Sequence, residues 1–324
     1  MWSWLIEKEV GAVLELQEIA DGPARVVIDV SRGGEIVSFV DERIAGEIFW
    51  KPDVQANRSE ISAINQNTQA FYDDYRGGVQ ELFPNTADAT KVLGAELPFH
   101  GELTATPLNI VAKTSSSLAL KAELRRFPIE VTKQISVSDS GSLKIESQVK
   151  NLSPRRLPYS WGLHPVFSDY FTGSGSNLVG LFDGVTAHPT SFGASQQFLP
   201  GSTVESETGS TGESVLNLVS AESGSADLIY VNLKEPWFRI GRPERLGLEV
   251  KWDNKDFNCL WLWQECHDAS DWPWWGRHHI VGVEPHTAYP AQSLEAHIED
   301  GKALFLEPYA SAKVTFEFDL IEKT

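Results

Sequence analysis

The feature that most constrains this chain is the spacing of its apolar residues. Residues 24–30 read Ala-Arg-Val-Val-Ile-Asp-Val. Similar runs recur at 35–40, 118–124, 129–137, 143–149, 228–233, 246–252, 259–265, 280–284, 303–306 and 312–320. Successive side chains on an extended strand point to opposite faces, so a two-residue period predicts strands rather than helices. The runs are short, rich in β-branched and aromatic residues, and mostly bounded by Gly, Pro, Asn, Asp or Ser. Ser-Asp-Ser-Gly-Ser at 138–142 separates two such runs as a hairpin turn should, and Asp21-Gly22-Pro23 and Asp300-Gly301 look similar. Many short strands joined by turns predict an all-β sandwich or barrel. Helical signal is sparse. Residues 53–70 and 294–300 read as short helical turns or loops, because neither carries an amphipathic face over three turns. The acidic, Ser/Thr/Gly-rich stretch 200–213 reads as an exposed loop, since strands of the same style continue on both sides. With no boundary and no internal repeat, residues 1–324 are expected to form one domain.

Composition enters where it excludes functions. A chain of 324 residues buries a large core and needs no disulfide or metal to fold. The net charge of −18 argues against nucleic acid and anionic membrane as partners, because phosphate contacts need Lys and Arg. It fits a small or neutral ligand, and by itself it also means simply solubility. Cys259 and Cys266 lie in one expected strand, at roughly 3.3 Å per residue more than about 20 Å apart, too far for a disulfide. Reduced cysteines, the absence of a secretory pattern in residues 1–10 and the lack of any membrane-length apolar run predict a cytoplasmic protein.

Three segments carry titratable residues beside Gly or Pro at strand ends, where functional groups of sandwiches often lie. They are Gly77-Gly-Val-Gln-Glu-Leu-Phe-Pro-Asn85 followed by Leu97-Pro-Phe-His-Gly-Glu-Leu103, Asn151-Leu-Ser-Pro-Arg-Arg-Leu-Pro-Tyr-Ser-Trp-Gly-Leu-His-Pro-Val-Phe167, and Val281-Gly-Val-Glu-Pro-His-Thr287. Strand parity places Leu157, Tyr159, Trp161 and Leu163 on one face, and Pro158, Ser160, Gly162 and His164 on the other. It likewise separates Val281 and Val283 from Gly282 and Glu284. Both titratable groups share a face with small residues, which leaves room for a ligand. If the two strands are neighbours, His164 and Glu284 oppose each other across a pocket. His100 stands as a third candidate. Each of the three also has a plain reading as a surface, turn or paired residue. His278 and His279 are adjacent, point apart and make a poor metal pair. His286 follows Glu284 by two, with Pro285 obscuring its parity.

Five of the eleven tryptophans fall at 261, 263, 272, 274 and 275. Flat aromatic faces stack on the C–H faces of sugars, although core packing also uses them. Trp261, Trp263 and Glu265 share one face of their strand, and Leu260, Leu262 and Gln264 the other. The first set reads as a sugar platform with a carboxylate at its edge.

Pro98-Phe-His-Gly101, Gly162-Leu-His-Pro-Val-Phe167 and Val283-Glu-Pro285, in this order, resemble the aldose 1-epimerases and their galactose mutarotase-like relatives. The closing segment 306–320 is similar to that family's last strands. The resemblance implies an all-β fold, a large twisted antiparallel β-sandwich or supersandwich with an open sugar cleft. It implies Glu284 as general base on the anomeric hydroxyl, His164 as general acid on the ring oxygen, and His100 as a hydrogen-bond partner near the same oxygen, with acid and base on opposite sides of one ring. It implies a small-molecule sugar as substrate and neither metal nor organic cofactor. The family's arginine after His-Gly is absent here, so Arg76 is the expected replacement. Its sugar-binding aspartate has no match, which leaves Gln264 or Glu265, with Trp161 and Trp263 as further substrate contacts. Two other readings stand beside the epimerase: a non-catalytic carbohydrate-binding or sensing protein on the same scaffold, and another carbohydrate-active enzyme such as a lyase or hydrolase, which would need paired carboxylates or a long groove. The identity of the sugar, its phosphorylation and the oligomeric state stay open.

Overall fold

The computed structural model describes residues 15–52, 68–209, 212–220, 222–268 and 271–322. Residues 1–10, residues 53–67 of the expected helical turn or loop, and residues 210–211 of the acidic loop lie outside that range. Every ladder between named strands is antiparallel.

Five strands carry or flank the candidate residues: β1 (Val79–Leu82), β2 (Gly162–Phe167), β3 (Ser225–Gly241), β4 (Cys259–Cys266) and β5 (His279–His286). They lie side by side in the order β1-β2-β5-β4-β3. Beyond β1 the layer continues through Glu35–Asp41, Ala24–Asp29 and Leu16–Asp21. At the other end β3 serves two layers. Its first part pairs with β4, and Trp237–Ile240 pairs with Gly247–Trp252. The second layer then runs through Ser311–Ile321, Leu143–Asn151, Ile129–Val137, Ser117–Glu123 and Asn109–Lys113. Leu163, Leu260, Leu262 and Val283 of the first layer share one core with Val131, Ile145, Phe316 and Phe318 of the second. This is the expected antiparallel sandwich.

The two layers differ in burial, and the difference has a cause. Ile129–Val137 and Leu143–Asn151 alternate buried positions with half-buried or exposed ones, one face on the core and one towards water. In β4 and β5 every residue is buried. Their second face is covered by Trp50, Phe71, Tyr75 and Phe99, with Phe71 supplied by the short helix Thr68–Asp73. β4 and β5 are therefore covered on both faces.

Two expectations need correction. Asp300-Gly301 is not a hairpin. It ends the helix Leu294–Glu299, with Gly301 at φ 69° donating its N–H to Ile298 O. A long strand, Asn177–Ala187, escaped the two-residue pattern, because register shifts at Gly180, Phe182 and Gly184 break its period. The 138–142 and Asp21-Gly22 turns form as read, joining Ile129–Val137 to Leu143–Asn151 and Leu16–Asp21 to Ala24–Asp29.

One polar cluster crosses the core. Lys133 Nζ lies 2.8 Å from Glu81 Oε2 and donates to Gly33 O at 2.7 Å. Glu81 also accepts from Ser147 Oγ and Trp161 Nε1, each at 2.8 Å. The carboxylate of the first motif thus faces the core and ties β1 to the second layer.

Candidate functional site

The register of the five strands assembles a single row of side chains. Tyr230 pairs with Trp261, and Trp261 with Glu284. The pairs Gly162–His286 and Val166–Gly282 set Glu284 opposite His164, which in turn pairs with Gln80. Directly opposed residues of an antiparallel ladder share a face. His164 and Glu284, 120 residues apart in the chain, therefore meet because two strands pair in this register.

Small residues make the meeting possible. A Cβ on Gly282 would lie 2.8 Å from Glu284 Oε1, and one on Gly162 would lie 2.3 Å from the His286 ring. The two glycines that share a face with the titratable groups are the space those groups occupy. His286 lies flat against Trp261, ring centroids 3.7 Å apart and planes 5° apart, and its Nε2 lies 3.1 Å from Glu284 Oε2. Glu284 Oε1 lies 3.5 Å from His164 Nε2, at the outer limit of a hydrogen bond. His164 and Glu284 stand side by side on one floor, not on opposite sides of a ring.

His100 reaches the site from a tight turn. Its own φ is 60° and that of Gly101 is 84°. A Cβ on Gly101 would lie 2.4 Å from Phe83 O, so this close approach requires glycine. Nδ1 of His100 donates to Thr86 O at 2.7 Å. A carbonyl can only accept, so Nδ1 carries the proton and Nε2 of the neutral ring is an acceptor. The His100 and His164 ring centroids are 5.6 Å apart.

Burial sets the charge states. It pushes His164 down to about 4, and burial with the nearby His164 pushes His100 down to about 3. It drives His286 well below the ordinary histidine range and Glu284 well above the ordinary carboxylate range. Burial first, and then Glu284, hold the Tyr75 phenol well above its usual value. In the empty cavity all of these groups are driven towards uncharged forms.

The cavity above the row has a volume of about 280 Å³. That is just below the roughly 300–1,000 Å³ common for ligand pockets. His100, His164 and Glu284 line it, as do Trp261 and Trp263. The Trp263 ring is 5.8 Å from His164. Among the described residues no group of three or more His, Cys, Asp and Glu side chains is arranged to hold a metal ion. No helix among them is long and apolar enough to cross a membrane.

The other expected substrate contacts lie elsewhere. Arg76 is committed to Asp29 at 2.8 Å and Glu35 at 2.6 Å, two buried carboxylates that hold it off the cavity. Trp161, 1% exposed, is a core residue bonded to Glu81. Gln264 points to the opposite face of β4 and accepts from Val219 N at 2.8 Å. Glu265 shares the face of Trp263 but accepts from Asp268 N at 2.9 Å, capping the loop after β4. His278 packs its ring 5.5 Å from Trp50 while His279 pairs with Asp169 at 2.7 Å, so the two do point apart. Sequence reading missed Phe71, Tyr72 and Tyr75, which border the cavity from a segment with no strand period. It also missed His188, carried by the loop after Asn177–Ala187. The aromatic density of Phe71-Tyr72-Asp73-Asp74-Tyr75 was the available signal.

No protein with a curated description matches this chain. Among solved structures, the Slr1438 protein from Synechocystis sp. PCC 6803 is similar over the whole of both chains, with TM-score 0.68 and 17% identity. A putative aldose 1-epimerase from Escherichia coli K12 has TM-score 0.68 and 15% identity, covering 96% of this chain and 100% of its own. A galactose mutarotase related enzyme from Lactobacillus acidophilus has TM-score 0.65 and 17% identity, covering 95% and 98%. At these identities the likeness establishes the fold alone, a galactose mutarotase-like β-sandwich. Matched over residues 30–320, the chain belongs to the family described as Domain of unknown function, DUF4432.

Proposed function

We infer that the protein is an aldose 1-epimerase, interconverting the α and β anomers of a small sugar. The observation that carries this reading is the His164–Glu284 contact of 3.5 Å on the floor of a cavity about the size of one sugar ring. Opening a pyranose requires a base at the anomeric O1–H and an acid at the ring oxygen. As the C1–O5 bond breaks, O1 loses its proton, C1 becomes a carbonyl, and O5 gains a proton. The carbonyl turns, and the reverse transfers close the ring on its other face.

Glu284 serves as the base and His164 as the acid. That form of the pair, carboxylate and imidazolium, differs from the uncharged form by one proton moved across their contact. With Glu284 as carboxylate, the His286 Nε2-protonated tautomer would donate to Glu284 Oε2 across their 3.1 Å contact and favour that charged form. Nε2 of His100 is an acceptor for a sugar hydroxyl. The buried Tyr75 hydroxyl, without a protein partner among the described residues, is a second polar group beside the cavity. Trp261 and Trp263 supply apolar aromatic surface to the cavity wall. Because the pair holds a single working proton, its two pH limits belong to the pair and not to either residue.

Magnetisation-exchange NMR on a panel of reducing sugars tests this. Wild-type protein is expected to speed α/β exchange of at least one sugar. Glu284→Gln is expected to lower kcat by about 10²–10⁴-fold, the contribution of a positioned proton transfer. Undiminished turnover by Glu284→Gln would remove the mechanism.

A further inference from the structure

The cavity has a second polar end that the proton-transfer chemistry does not use. His188 lines it, on the loop that follows Asn177–Ala187. His188 Nδ1 lies 2.5 Å from the Tyr230 hydroxyl, and that hydroxyl accepts the Ala291 N–H at 2.9 Å. The Tyr230 phenol is held protonated, because burial raises it well above its usual range. Its one proton needs an acceptor, and the Ala291 N–H is a donor, so the proton goes to His188 Nδ1. Burial also lowers His188, which keeps the ring neutral. A neutral imidazole that accepts at Nδ1 carries its proton at Nε2. Tyr230 therefore fixes the tautomer, and the polar atom of His188 left for a ligand is an N–H donor.

The placement follows from the sheet. Tyr230 lies on β3 and Glu284 on β5, with β4 between them. Two strand spacings put the anchor of His188 roughly 10 Å from the acid–base pair, about the reach of one sugar ring with a hydrogen bond at each end. Trp261 lies between these ends, and Leu228 and Trp263 pair one row along on the same face, apolar surface that suits C–H faces. Charge settles the class of ligand. Among the described lining residues there is no lysine or arginine, while Asp88 and Glu284 are carboxylic acids. A phosphate here would find no cation among these residues.

We propose that His188, held by Tyr230, donates from Nε2 to a ring hydroxyl remote from the anomeric carbon, at C3 or C4, and that the sugar is neutral and unphosphorylated. This rests on the epimerase reading for which end of the sugar faces Glu284. His188 is a specificity-determining residue and takes no part in the proton transfers.

Titration calorimetry with 1,5-anhydrohexitols tests it apart from turnover, because these rings lack the anomeric hydroxyl and cannot open. The probes are the gluco and galacto forms, their 3-deoxy and 4-deoxy derivatives, and the gluco 6-phosphate. Wild type is expected to bind at least one neutral ring. His188→Ala is expected to weaken that ring about ten-fold, the worth of one such hydrogen bond. The same change should leave unaltered the binding of the deoxy derivative that lacks the contacted hydroxyl. His188→Gln, which keeps an N–H donor, should recover most of the loss, and Tyr230→Phe should fall between. Equal weakening of every ring by His188→Ala would mean a structural role and overturn the proposal. So would preference for the 6-phosphate, or no neutral ring bound at all. Ring binding without anomer exchange would defeat the epimerase reading and leave His188 standing. Exchange with unchanged ring binding in His188→Ala would do the reverse.

Discussion

Glu284 is a carboxyl group held where its charge is costly. Its pKa is raised in the folded protein by burial, so folding favours the protonated acid. The associated stability is fully present below the unfolded value near 4.5 and is lost as pH rises through the folded pKa. Glu284→Gln removes that loss. Its melting temperature is expected to exceed that of wild type at pH 7–8 and to converge on it near pH 4.5, as read by thermal denaturation across that range. A wild type more stable at neutral pH would mean that the carboxylate is well paired in place. At this scale parity read the face of His164 and Glu284 correctly and identified the glycines beside them. It could not see Arg76, Gln264 or Glu265, because their partners Asp29, Glu35, Val219 and Asp268 are set by loops and by strands more distant than parity reaches. Trp161 went the same way: its face was read as core, and core is where it lies.

Among the elements, alternation was most legible where one face meets water, as in Ile129–Val137, whose observed bounds equal the expected ones. It was least informative in β4 and β5, covered on both faces, although their apolar character still marked them as strands. Helix Thr68–Asp73 is too short to show a period, yet it roofs the site. Lys133 breaks the apolar face of its strand for a reason that lies in another strand, namely Glu81 of β1. Lys133→Met leaves that carboxylate buried without its cation. A loss of about 3–5 kcal/mol in urea denaturation is expected. Adding Glu81→Gln should restore much of it, since the amide oxygen can still accept from Trp161 Nε1 while the amide N–H donates to the Ser147 hydroxyl. An unchanged midpoint in the single variant would show the pair to be dispensable.

For the molecule as a whole, the acid side of the stability curve follows from its buried imidazoles. His100 and His164 titrate at about 3 and about 4 when folded, and His286 lower than an ordinary histidine. Unfolded histidines bind protons near 6.5. Between those limits the unfolded chain takes up protons that the folded one refuses, so stability is present above about pH 6.5 and falls as pH drops towards 4. Glu284 works the other way, but with one proton against three. The melting temperature is expected to decline through this window, and a flat profile would show that the imidazoles are hydrated. The sandwich was legible from its period, and the cleft from three short motifs, whereas the far end of the cavity rests on a loop with no pattern to read. Trp261 and Trp263 are part of the cavity wall, one stacked on His286 and the other 5.8 Å from His164. Indole emission responds to polarity and to neighbouring imidazolium charge. The unlabelled protein thus carries its own optical gauge, expected to register both the filling of the cavity and the arrival of a proton on the imidazoles that line it.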